Sequence, residues 1–406
     1  MDDYDYIIAG GGASGITLAK MLIESGLGAK VLMIEKSKKL ENDRSWCFWD
    51  PVGLPYLMPS SFTWNSVQVS TKKFEKKVKL TPYQYHYFRA GDFYTSQMNL
   101  LLQAPNFTLK QENIQFISGS ETGGVVWTEK GKYEGKWVFN SLPQFAPIIR
   151  PVKKGIKQHF LGHWIETKEP VFDPACMTLM DFQTGKGGEV QFVYVLPVSR
   201  TKALVEYTVF SDIPWQDEQY DAAIRAYMSE KFGVDEYHIT ESESGIIPMS
   251  AEPFARITEN RIVHIGSAGG LTKASTGYTF HRIYEDSRRL VRDLIRHGRP
   301  YPKFTTTGRF AFYDRLMLWL IRHQPRKIPG IMYKLFSRNP SSRVLRFLSE
   351  KTWFGEELLI FVRLPWLPFL TALCYVYLIP FSPKTVGPRP QPAYPGLPLS
   401  QPMGTD

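Results

Sequence analysis

The sequence predicts an α/β protein in three parts: a lobe of alternating strands and helices, a β-sheet lobe inserted into it, and a helical C-terminal region. Three observations predict this. The run Tyr6-Ile7-Ile8-Ala9 breaks into glycines and reopens as a helical pattern. A second strand, glycine-rich loop and helical pattern recurs from Arg261 to Leu294. Between them, from Gln158 to Ser250, the chain changes to long alternating strands. A glycine turn near each end with a β lobe between is the ordering of an FAD/NAD(P)-binding Rossmann-like fold.

The first turn carries Gly10, Gly12 and Gly15 at the spacing G-x-G-x-x-G. These glycines serve a tight turn, close approach of backbone to a pyrophosphate, and close packing of helix on strand. The helix from Ala13 to Ser25 would face the phosphates with its N-terminal amides. A second strand, Lys30 to Ile34, ends at Glu35, where the fingerprint wants a carboxylate for the ribose hydroxyls. That acid would repel a 2′-phosphate, so FAD or NAD is expected rather than NADP. The late loop, Gly266 to Tyr278, would bring another helix N-terminus to the same cofactor, an arrangement expected for FAD and not for an NAD dehydrogenase.

The 406 residues, 43% of them hydrophobic, are enough for a large ordered core in two lobes. The net charge of +10 is concentrated in Arg288 to Arg346, where 15 Lys and Arg face only Asp293 and Asp314. Large apolar residues such as Phe310, Leu316, Trp319 and Ile321 are threaded among them. That mixture suits a helix at an anionic lipid surface better than one tracking nucleic acid. An amphipathic helix packed on its own domain has the same pattern. Cys47, Cys176 and Cys374 are odd in number and far apart, which suggests neither disulfides nor a metal site and fits a reducing compartment. The acidic start, Met1-Asp2-Asp3, lacks the basic region of a cleavable signal, so a cytoplasmic protein is expected.

In chain order, the run Asp43-Arg44-Ser45-Trp46-Cys47-Phe48-Trp49 can wall a flat cofactor or an apolar substrate, or be core. Val67 to Leu80 reads as two short strands, and Asp92 as the cap of a helix ending before Pro105. Four strand-like runs between Phe107 and Phe139 read as a β meander, followed by Asn140-Ser141-Leu142 near the cofactor. In the inserted lobe, Gln191 to Leu196 and Ala203 to Val209 form a hairpin. Period two sets Leu204, Glu206 and Thr208 on one face and Val205, Tyr207 and Val209 on the other. A helix from Asp217 to Phe232 follows. Leu358 to Phe381 carries one charge, Arg363, and is broken by Pro365 and Pro368, so a bent segment lying in one leaflet is expected. The boundaries read as a first cofactor lobe at 1–157, a substrate-binding β lobe at 158–250, a second part of the cofactor lobe at 251–300, a membrane-associated helical region at 301–382 and a disordered tail at 383–406.

Over nearly its whole length the sequence resembles the bacterial-type, FAD-dependent lycopene β-cyclases of carotenoid biosynthesis. The motifs that carry the resemblance are Gly10 to Gly15, the Asp-Arg-Ser-Trp-Cys-Phe-Trp run, Leu-Pro-Val-Ser with Leu-Val-Glu-Tyr-Thr in the hairpin, Ile247-Pro248-Met249, and Thr276-Gly277-Tyr278. The wider group includes aromatic hydroxylases, squalene epoxidase and geranylgeranyl reductase. Many of these carry Gly-Asp at the late motif, where this chain has Gly266-Ser267.

The resemblance implies a reaction without net redox change: an acyclic end of lycopene is protonated, the ring closes and a proton is lost, giving γ-carotene and then β-carotene. It implies reduced FAD as cofactor, NAD(P)H as reductant, and an inner-membrane surface as workplace. Glu206 matches the family's essential acidic position. Asp181 is a second candidate carboxyl. Gly10, Gly12, Ala13, Gly15, Glu35, Gly266, Gly269, Thr276 and Gly277 are the expected cofactor contacts. Arg44 is either a contact to the flavin's phosphates or ribityl chain, or a surface ion-pair residue. The competing expectations are a flavin monooxygenase or polyprenyl reductase, and a membrane flavoprotein without catalysis.

Overall fold

The computed structural model describes residues 4–39, 42, 44–51, 62–146, 156–183, 188–252, 254–302, 306 and 308–378. Asp43 and the tail at 383–406 lie outside them. The chain opens with β1 (Tyr4–Ala9), α1 (Ala13–Glu24) and β2 (Val31–Glu35), the strand, turn, helix and strand that the glycine spacing requires. Next come β3 (Ser45–Pro51), β4 (Phe62–Trp64), β5 (Ser66–Ser70), β6 (Glu75–Lys79), β7 (Tyr83–Arg89) and α2 (Ala90–Leu102). α2 is capped by Arg89, and Asp92 lies in its first turn rather than at the cap. The lobe continues through β8 (Phe107–Gln111), β9 (Ile114–Gly119), β10 (Gly124–Thr128) and β11 (Lys132–Asn140).

The inserted region holds β12 (Lys157–Glu166), β13 (Met177–Asp181), β14 (Val190–Pro197), β15 (Lys202–Ser211), α3 (Asp217–Phe232) and β16 (His238–Pro248). The chain then returns through β17 (Ile262–His264), a 3-10 turn at Gly266–Gly269 and α4 (Phe280–His297). It finishes in α5 (Gly308–His323), α6 (Ile328–Arg338), α7 (Ser341–Leu348), α8 (Phe354–Phe361) and α9 (Trp366–Leu378).

Three sheets organise these elements. In the first, β8, β2, β1, β11 and β17 run parallel, with β17 beside the C-terminal half of β11. Only β9, β10 and β11 form the antiparallel meander, because β8 pairs with β2 at the far edge. α1, α2 and α4 share a core with this sheet. The Arg256 guanidinium, hydrogen-bonded to His264 O, also meets the buried Asp286 of α4 at 2.6 Å. Removing one partner of such a buried pair costs about 3–5 kcal/mol.

The second sheet has the order β16-β12-β15-β14-β13-β5-β6. The pair β5–β6, expected in the first lobe, belongs here: β5 runs parallel to β13 and extends the sheet. A 1–157 boundary therefore cuts across a hydrogen-bonded sheet. α3 covers one face, on Leu161, Val193, Val205, Tyr207 and Val209. The other face carries Trp164, Leu196 and Leu204 and packs on the third sheet, β3-β7-β4, and on α6, α7 and α8. Many apolar residues threaded among the arginines are core here: Phe310, Leu316, Leu320, Ile321, Ile331 and Leu335 are all buried. The lipid-facing reading fails for them because the amphipathic stripe already has a protein partner.

Candidate active site

The glycine turn is shaped for a bound phosphate. Gly10 has φ +98°, and a side chain there would collide with Ser141 Oγ. A Cβ on Gly15 would stand 2.0 Å from Gly10 O, so α1 packs directly on the turn. Among the described residues a Cβ on Gly12 would meet nothing within 4 Å, leaving open space at the head of a helix that begins at Ala13. Glu35, at the end of β2, accepts hydrogen bonds from Gly11 N (2.7 Å) and Ser37 N (3.0 Å), which fixes its carboxylate beside that space.

The late loop comes to the same place. A Cβ on Gly266 would reach Ser14 Oγ within 2.4 Å, so the two glycine turns touch. Gly269 sits as tightly on His264 O. Ala13, Leu271 and Ile283 form a small core between them, with Trp46 and Phe280 against it. Among the described residues the buried Thr276 Oγ1 and Gln158 Oε1 have no hydrogen-bond partner, although each requires one. The residues therefore fit a dinucleotide: open space at a helix head, a fixed carboxylate, and two orphaned polar atoms at the far turn. Arg44 is exposed and its carbonyl accepts from Ala90 N at the start of α2.

The aromatic run divides by strand parity. Trp46 and Phe48 stack on Phe280, while Cys47 and Trp49 face the second sheet among Tyr85, Tyr194 and Tyr278. The rings of Tyr278 and Trp49 meet in a T-shaped pair with centroids 4.5 Å apart, and the Tyr278 hydroxyl lies 3.2 Å from that of Tyr85. Tyr194 and Cys47 pack in the same cluster as Tyr85 and Tyr278. Burial pushes the tyrosine hydroxyls and the Cys47 thiol up, so all remain protonated. Tyr278 follows Gly277 directly, and this one residue links the cofactor turn to the aromatic walls.

Glu206 stands among them. Leu204, Glu206 and Thr208 share a face, as period two requires, and Val205, Tyr207 and Val209 pack on α3. Glu206 accepts from Thr208 Oγ1 at 2.8 Å. Burial, and after it the charge of Glu243, push its carboxyl up to about 8. Glu243, on β16, accepts from Ser45 Oγ at 2.7 Å, and burial pushes its carboxyl up as well. Both glutamates are only partly exposed yet strongly desolvated, the pattern of groups lining an interior space.

Asp181 does not join them. It pairs in register with Val193, on the α3 face, where it accepts from Tyr227 Oη at 3.1 Å with Lys231 at 3.6 Å. It ties β13 to α3 with the sheet between it and Glu206, so its candidacy as a catalytic carboxyl is withdrawn. Glu243 gave no sequence signal, because Glu241-Ser242-Glu243-Ser244 reads as a solvated strand on both faces. A cavity of about 460 Å³ shares Trp49 and Tyr278 with these walls; it is lined by Arg282, Arg288, Arg292 and Lys351, and neither glutamate reaches it.

The fold is that of the FAD/NAD(P)-binding Rossmann-like proteins with an inserted β lobe and a helical C-terminal region. Solved structures share it at low identity. A geranylgeranyl bacteriochlorophyll reductase-like protein from Thermoplasma acidophilum superposes with a TM-score of 0.59 at 14% identity, over 93% of this chain and 97% of that one. A flavin-dependent brominase gives 0.59 at 13% (92% and 98%), and an anhydrotetracycline hydroxylase from Streptomyces rimosus gives 0.58 at 15% (86% and 76%). The chain belongs to the lycopene cyclase family, whose model, described as lycopene cyclase protein, matches residues 5–374. No individual curated protein matches the sequence.

Proposed function

We propose that this protein converts the acyclic ends of lycopene to β rings, through γ-carotene to β-carotene, with FAD on the paired glycine turns. The observation that carries the reading is Glu206, a carboxyl held protonated near neutral pH within aromatic walls, in a chain of this family. An alkene is a very weak base, so its protonation needs an acid kept dry and undissociated. Glu206 meets that need. The proton adds to the terminal double bond, the next double bond closes on the resulting cation, and loss of a proton leaves the ring; nothing is oxidised or reduced. The faces of Trp49, Tyr85 and Tyr278 are suited to hold the positive charge.

Gly10, Gly12, Ala13, Gly15, Glu35, Gly266, Gly269, Thr276, Gly277 and Gln158 would hold FAD. When bound in reduced form it supplies an electron-rich ring able to stabilise positive charge, and NAD(P)H is the proposed reductant. The substrate is a hydrocarbon, and the bent pair α8 and α9 supports a membrane workplace. The chain bends by 117° between these helices, and no single helix among the described residues is long and apolar enough to cross a membrane. Outward they expose Val362 (78%), Trp366 (67%) and Leu367 (64%); inward Ile360, Leu364 and Phe369 pack into the cluster of Trp49 and Tyr85. The proposal places this surface on the cytoplasmic side of the inner membrane.

The fold neighbours include a hydroxylase and a brominase, so net redox chemistry on a lipid is the competing reading. Lycopene in vesicles, with FAD and NADPH, separates the two by chromatography of product and the NADPH consumed. Ring formation without stoichiometric NADPH consumption is expected. Glu206→Gln should retain flavin and lose about 10²–10⁴-fold in rate, the usual contribution of general acid–base catalysis. An oxygenated or reduced product, or rings formed by Glu206→Gln at the parent rate, would overturn the reading.

A further inference from the structure

Among the described residues β16 is an edge strand, paired with β12 alone. Its first residues, His238 to Glu241, are exposed, but Glu243 is partly buried and bonded to Ser45. The register explains why. Gly162 on β12 lies opposite Glu206 on one side and opposite Glu243 on the other. Residues directly opposite in a sheet project to the same face, so the two glutamates flank the glycine with backbones roughly 10 Å apart, two strand spacings.

Gly162 has no side chain to stand between them. A Cβ there would come within 3.2 Å of Glu206 Cβ and 3.3 Å of its Cγ, because Glu206 leans over the glycine. Each carboxyl accepts from one neutral hydroxyl, Thr208 or Ser45. Among the described residues no Lys, Arg or His forms an ion pair with either. Arg89 holds Glu241 at 2.7 and 2.8 Å, and its charge opposes, without reversing, the upward push that burial gives the Glu243 carboxyl. The other titratable neighbours, Cys47, Tyr87, Tyr194 and Tyr278, are kept neutral by burial. Two carboxylates in one poorly solvated space repel each other, so the pair retains one proton.

We propose that Glu243 is the second working carboxyl of this site, forming with Glu206 an acid–base couple in which one gives up the proton and the other collects it. This rests on the cyclase reading. The O–H bond of the protonated carboxyl breaks as a C–H bond forms on the terminal double bond, and the ring bond closes. A C–H bond of the cyclised cation then breaks and an O–H bond forms on the partner carboxylate. The couple ends with the one proton it began with, on the other member. Transfer across the gap above Gly162 restores it. No oxidant, reductant or net proton is required, in keeping with an isomerisation.

The test uses the flavin-loaded protein with vesicle-borne lycopene, comparing rate against pH in the parent, Glu206→Gln, Glu243→Gln and Glu243→Asp, with flavin absorbance and thermal midpoint as checks of folding. Glu243→Gln should lose about 10²–10⁴-fold, as an acid or base does. Its residual activity should fall off at lower pH than the parent's, since the charge that strengthens Glu206's hold on its proton is gone. Glu243→Asp should keep the parent's alkaline limb and lie at most about 10²-fold below it, the effect of moving a group by roughly an ångström.

Parent rate and unshifted limb in Glu243→Gln would overturn the proposal, as would a loss with no shift and no rescue by Asp, which marks a scaffold residue. If Glu243→Gln does not bind flavin, Glu243→Asp decides, and a displaced alkaline limb or a rate more than about 10²-fold below the parent's in that variant with flavin bound would overturn it. Failure of the cyclase reading is distinguishable: there Glu206→Gln, not Glu243→Gln alone, keeps the parent rate, or the parent itself forms no ring.

Discussion

Gly277 rests on Gln158: a Cβ added to the glycine would stand 2.6 Å from Gln158 Oε1. Gln158 and Gly162 lie on one face of β12, four residues or roughly 13 Å apart at 3.3 Å per residue. The late turn and the glutamate pair thus sit at two stations along one strand, with Phe160 between them. Gly277 also has φ +73°. Gly277→Ala should therefore cost about 1–2 kcal/mol for the left-handed backbone, with the clash added. A lowered thermal midpoint and weaker flavin affinity are expected, and an unchanged flavin titration would show that this turn does not border the cofactor.

The two glycine substitutions in the first turn should fail in different ways. Gly12 has φ −80° and open space beside it, so Gly12→Val should fold and lose flavin, its side chain occupying the space of the phosphate. Gly15→Val drives a branched side chain into Gly10 O and should not fold. Circular dichroism with flavin absorbance separates the outcomes. A parent-like flavin spectrum in Gly12→Val would sink the assignment.

What was legible in the sequence is what is local. Strand, turn, helix and Glu35 follow from neighbours within Tyr4 to Glu35, and the parity of Leu204, Glu206 and Thr208 follows from period two alone. What was not legible depends on pairing. Parity cannot tell that Asp181, through Val193, shares a face with Tyr207 rather than with Glu206. It cannot tell that β5 joins β13, or that Gly162 brings Glu243 to the site. The same limit governs the basic segment: an apolar stripe announces burial without naming what covers it, and for Phe310, Leu320 and Leu335 the cover is protein.

The surface proposed to meet lipid is narrower, and its test is correspondingly local. Fully burying a large apolar side chain contributes about 1.5–3 kcal/mol, tenfold or more in partitioning. Val362→Glu combined with Trp366→Glu should abolish co-sedimentation with anionic vesicles. It should slow cyclisation of vesicle-borne lycopene more than of lycopene in detergent. Equal co-sedimentation of variant and parent would show that this face does not hold the membrane.

Glu206 also makes a prediction about stability, with a sign that can be worked out. Its carboxyl is pushed from 4.5 up to about 8, by burial first and then by Glu243, so the native state binds this proton more tightly than the unfolded chain does. Its contribution is complete below about pH 4.5, declines as pH rises, and is lost above about 8. Glu206→Gln keeps the shape and cannot ionise. The unfolding free energy of the variant, relative to the parent, should therefore increase between about pH 5 and pH 9 by a few kcal/mol at most, each pKa unit being worth about 1.4 kcal/mol. The buried His159 and His264 act at the other end. Burial pushes both down to about 4, so the stability they contribute is present above about 6.5 and lost as pH falls through 4. They are common to both proteins and cancel in the difference. Denaturant unfolding of the flavin-loaded parent and variant at the two pH values measures it. A difference independent of pH would mean that Glu206 is ionised in the native state throughout, and could not be the acid that starts ring closure.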